Sequence, residues 1–116
     1  MTKITFFKRN GVYYGFRETG HSGYADAGED IVCAALSAMT MLIVNTVEVS
    51  YASDVEYTID EDTTDITVNV PAVLDEAPEN EMKRNAISGL LQGYFIQLMD
   101  MLEDYYDFLS VEEKEQ

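Results

Sequence analysis

One cysteine, one histidine and only 7 basic residues against 22 acidic ones are the scarcities of this 116-residue chain. A lone cysteine cannot close an internal disulfide. One histidine with one cysteine leaves the other ligands of a tetrahedral zinc site to be found among carboxylates, so neither a metal nor a cofactor is expected. The scarcity of Lys and Arg weighs against direct contact with nucleic acid, whose phosphates those residues would neutralise. No apolar run reads as long enough to cross a membrane. The opening Met1-Thr2-Lys3-Ile4-Thr5 lacks the basic-then-apolar order of a secretory signal. With the unpaired cysteine, these features predict a protein of a reducing cytoplasm.

What is present fits a single domain over residues 1–110, followed by a frayed acidic tail at 111–116. A chain of this length buries roughly two-thirds of its unfolded surface, enough for one hydrophobic core. The charge is uneven: residues 1–53 hold 5 acids and 4 bases, whereas residues 54–116 hold 17 acids and 3 bases. Such a surface keeps a protein in solution. It also draws in a basic partner, mainly by speeding the encounter.

Ile4 and Phe6, then Val12, Tyr14 and Phe16, alternate around Asn10-Gly11, which predicts strands near 2–8 and 12–19 joined as a hairpin. From Gly20 through Gly23 to Gly28 there is no apolar periodicity, which predicts a flexible loop with His21 at its entrance. A helical period then runs over about 28–51 and places Asp30, Cys33, Ser37, Met41 and Val44 on one stripe. Val55-Tyr57-Ile59 and Ile66-Val68-Val70 predict a second hairpin around an acidic turn. That turn is not a calcium loop, because its sixth position is Asp65 and its twelfth Pro71. After a linker from Pro71 to Pro78, Ile87, Leu91, Phe95, Leu98, Leu102, Tyr105 and Leu109 predict a second helix to about 110. Gly89 and Gly93 suit close approach of another element. Tyr13, Tyr94, Tyr105, Tyr106 and Phe108 suit an apolar patch for self-association. The expected fold is α+β, in the order ββαββα, with a four-stranded sheet packed against two long helices.

His21 and Cys33 are the reactive candidates. Peptide hydrolysis by a thiol needs a thiolate to attack and an acid to protonate the departing amine, and one histidine can serve both needs. A cysteine in the first turn of a helix lies near unpaired N–H groups, which together with His⁺ lower a thiol from ~8.5 to roughly 3.5–7.5. The same N–H groups suit an oxyanion. Asp30 suits capping the helix or orienting His21, and Ser37 suits a hydrogen bond near the sulfur. A cysteine among Ala, Val and Leu also reads as a small buried hydrophobe, and a loop histidine as a surface residue. Residue type and spacing leave both readings open.

Gly20-His21-Ser22 followed by Gly28-Glu29-Asp30-Ile31-Val32-Cys33-Ala34-Ala35-Leu36-Ser37 resembles the motif of the ribosomal-processing cysteine protease family, Prp. Ser22 departs from the alanine more usual there. The resemblance implies Cys33 as nucleophile, His21 as general base and acid, and Asp30 and Ser37 as supporting groups. It further implies a homodimer, a mobile glycine-rich loop, and removal of a short N-terminal extension from the precursor of large-subunit ribosomal protein L27. The alternative expectation is a non-catalytic acidic dimer that binds a basic ribosomal protein or assembly factor.

Overall fold

Asn10 and Gly11 both take positive φ, 52° and 77°, which lets a two-residue loop follow the twist of the strands it joins. That loop connects β1 (Thr2–Arg9) to β2 (Val12–Thr19), with Phe6 opposite Phe16. The computed structural model describes residues 1–20 and 27–116. α1 (Ala27–Asn45) passes into one wider π turn over Thr46–Ser50. A second hairpin of β3 (Glu56–Ile59) and β4 (Ile66–Asn69) follows, then short 3₁₀ turns at Pro71–Leu74 and Pro78–Asn80. The chain finishes with α2 (Glu81–Tyr105) and β5 (Leu109–Glu115).

The mixed α+β class and the two long helices are as expected, but the sheet has five strands in the order β3-β4-β2-β1-β5. Residues 111–116, expected as a frayed tail, supply most of β5, which runs parallel to β1 with Thr2 opposite Leu109. Its acidic composition hid the strand because the matching cations lie more than a hundred positions away. Lys3 Nζ sits 3.0 Å from Glu112 and Lys8 Nζ 2.8 Å from Glu113. Thr5 also donates to Glu112, and Tyr13 OH donates to Glu113.

A register shift between Phe7 and Lys8 breaks the alternation expected of β2. The extra residue, Tyr14, puts the side chains before it out of phase with those after it. Tyr13 therefore joins Phe6 and Phe16 beneath the helices, its ring 5.8 Å from that of Phe6, whereas Tyr14 stacks on Phe7 on the opposite face. Phe6 also meets the rings of Tyr94 and Phe95 edge-on at 5.6 and 5.3 Å. Each such pair contributes about 0.5–1.5 kcal/mol beyond burial.

Both helices pack over this aromatic cluster. Asp30–Ser50, with mean hydropathy 1.8 over its apolar window, is long and apolar enough to cross a membrane, contrary to expectation. It contributes Val32, Leu36, Ile43, Val44 and Val47 to the core. α2 buries Ile87, Leu91, Tyr94 and Leu98. Two other expectations change. Tyr13 and Tyr94 are interior, so they form no surface patch. Among the described residues, a Cβ added at Gly89 or Gly93 would meet nothing within 4 Å, so neither glycine serves a close approach to any of them.

Candidate active site

Cys33 lies in the second turn of α1, not the first, because the helix is already formed at Ala27. The N–H groups without an intrahelical partner belong to a helix's first four residues. The backbone N–H of Cys33 is therefore committed to the helix, and the expected oxyanion role does not fall to it. The thiol is half-buried, on the border between the packed face of Val32 and Leu36 and the exposed face of Ile31 and Ala34. Asp30 and Ser37 flank it one turn away on either side, both exposed. Of the expected stripe, Met41 is exposed and Val44 buried, so the stripe runs along the edge of the core.

The first residues of β1 reach this border. Thr2 is fully buried, and its Oγ1 lies 4.0 Å from Cys33 Sγ. Its backbone N–H donates to the Phe108 carbonyl at 2.9 Å, which anchors it to the chain leading into β5.

Gly20 arrives at the same place from β2. Its φ is +82°, and an added Cβ would stand 2.5 Å from the Met1 carbonyl oxygen, so any larger residue would meet both backbone strain and a clash. The residue immediately before His21 is thus held against the start of β1, where Cys33 also sits. His21 and Gly23 lie outside the described residues. Gly28, expected in the loop, falls within α1.

A second polar group ties these elements together deeper in the fold. Glu18 of β2 is 1% exposed. It accepts hydrogen bonds on Oε1 from Thr40 Oγ1 of α1 at 2.7 Å and from Tyr94 OH of α2 at 2.8 Å. Burial, reinforced by the nearby Glu18 charge, pushes the Tyr94 phenol far above its ordinary value and keeps it a donor. Sequence reasoning missed Thr2, Glu18, Thr40 and Tyr94 as parts of this region. Glu18 had a signal: it stands two positions after Phe16, on the inward face of β2. Thr2 had none.

The calcium-like turn needs no ion to explain its carboxylates. Asp60 accepts the N–H groups of Asp62 and Thr63, and Asp65 pairs with Arg17 at 3.1 Å. The backbone hydrogen bond from Thr63, then that from Asp62, holds the Asp60 carboxyl below its usual range.

A family model described as cysteine protease Prp matches residues 1–110. The ribosomal processing cysteine protease Prp of Bacillus subtilis (strain 168) is 33% identical over 96 residues, covering 83% of this chain and 81% of that one. The fold is similar to a crystal structure of a Streptococcus mutans protein, with TM-score 0.81 and 26% identity over 100% of this chain and 99% of that one. It is also similar to the essential ribosomal processing protease Prp from S. aureus in complex with a substrate peptide. There the TM-score is 0.79 and the identity 17%, over 98% of this chain and 100% of that one. At that identity the likeness concerns the fold.

Proposed function

This chain belongs to the cysteine protease Prp family and is a cysteine protease, and on that premise we propose that it removes the N-terminal extension of the ribosomal protein L27 precursor. Cys33 is the nucleophile and His21 its base and acid. His21 takes the thiol proton, the Cys33 sulfur attacks the scissile carbonyl, and His21 passes the proton to the departing amine. Water, deprotonated by His21, then hydrolyses the thioester and regenerates the thiol. Asp30 and Ser37, one turn on either side of the sulfur, act as supporting groups.

The observation that carries this reading is the meeting of Cys33 and Gly20, the root of the His21 segment, at the start of β1. An acidic chain of net charge −15 suits a basic ribosomal precursor as substrate, and a lone cysteine suits a cytoplasmic setting. A homodimer is part of the same proposal. Leu42 of α1, more than half exposed, lines an apolar groove with Met39, Leu90 and Gly93, and a second copy would cover it.

The test is cleavage of a peptide spanning the precursor junction. Cys33→Ala and His21→Ala are expected to abolish it with unchanged circular dichroism. Cleavage surviving in Cys33→Ala would sink the assignment.

A further inference from the structure

We propose that Thr2 is a positioning residue of the thiol site, its hydroxyl donating a hydrogen bond to the Cys33 sulfur once that sulfur is ionised. This rests on Cys33 being the nucleophile.

Thr2 is fully buried, and Cys33 Sγ lies 4.0 Å from its Oγ1, at hydrogen-bonding reach for a sulfur. A neutral thiol is a weak acceptor, whereas a thiolate is a strong one and draws its donor closer. A hydrogen bond that exists chiefly with the charged form favours ionisation. The helix itself offers little to the sulfur at this position, because Cys33 lies beyond the first turn, where N–H groups are unpaired. Donors to the thiolate must then come from other elements, and Thr2 brings one from β1.

The placement of that hydroxyl is firm. The Thr2 backbone is tied to Phe108 O at 2.9 Å and lies in register with Leu109. Gly20 closes over the Met1 carbonyl beside it. A β-branched side chain adds stiffness about χ1. The same hydrogen bond aims the sulfur lone pairs, so it serves orientation as well as ionisation.

The experiment is the pH profile of iodoacetamide labelling of Cys33 in the folded, substrate-free protein, alongside junction-peptide kinetics. Thr2→Val keeps the shape and the backbone N–H but removes the hydroxyl. It is expected to move the labelling midpoint upward by about half a unit to one unit and to lower kcat about three- to tenfold, with KM within about twofold. Thr2→Ser retains the hydroxyl and is expected to keep the wild-type midpoint. A Thr2→Val protein with native circular dichroism and an unmoved midpoint overturns the proposal. Should Thr2→Val not fold, a Thr2→Ser midpoint displaced upward by half a unit or more does the same. A shifted midpoint in Thr2→Val with no cleavage by the wild type supports the Thr2 hydrogen bond and overturns the substrate reading instead.

Discussion

The two edges of the sheet are built on opposite principles. β3 has four residues, all exposed, and among the described residues pairs only with β4, its neighbour in sequence. β5 has seven, begins with the buried Leu109, and pairs in parallel with β1 across the length of the chain. A hairpin edge is specified by its own turn, here Asp60 capping the loop and Thr64 at φ 64°. A parallel edge has no such local guide, and must be held by what it buries and by the charges that meet it. β5 also borders Thr2, so its loss reaches the thiol, whereas β3 stands at the far side of the sheet.

Leu109→Ala separates the edges most widely. Leu109 is 2% exposed, and deleting a buried leucine side chain costs about 2–5 kcal/mol. Urea unfolding is expected to show a lowered midpoint at unchanged slope. Iodoacetamide labelling of Cys33 should change as well, because the packing that seats the strand paired with Thr2 is weakened.

Glu113→Gln tests the charge component of the same edge. The hydrogen bond from Lys8, then that from Tyr13, holds the Glu113 carboxyl below its ordinary 4.5. The native state therefore favours the ionised form. That stabilisation is fully present above the unfolded-state value and disappears as pH falls through the lower folded-state value. The variant should melt below the wild type at pH 7, and the gap should close as pH falls through the lowered folded-state value of the carboxyl. A gap that persisted at low pH would mean that packing, not charge, holds this part of β5.

Ile59→Thr is the smallest change. Ile59 is 51% exposed on β3, and a surface replacement of that kind falls within about ±0.5 kcal/mol. If Ile59→Thr lowered the urea midpoint as far as Leu109→Ala, the two edges would be energetically alike and the contrast between them would fail.

The elements legible beforehand are those whose instructions lie within a few residues. The Asn10-Gly11 loop, the β3–β4 turn and the apolar periods of α1 and α2 formed close to where their patterns placed them. Tyr14 was misassigned because one extra residue in the β1–β2 ladder reversed its face, which alternation alone does not reveal. The candidate site was legible in part for the same reason. Cys33 and Gly20-His21 belong to a local motif, whereas Thr2 and Tyr94 come from segments whose approach depends on strand pairing and helix packing.

The sequence by itself determined the hairpins, the two helices, the acidic surface and the family to which the reactive pair belongs, since each is written in residue types at short spacing. Tertiary structure alone decided that an acidic C-terminal stretch becomes a strand, because Lys3 and Lys8 meet its carboxylates only when β1 lies beside it. It also decided that Glu18 is a buried tie between strand and helices, since only packing brings Thr40 and Tyr94 to its oxygen. By the same contact between distant segments, Thr2 comes to lie against the thiol.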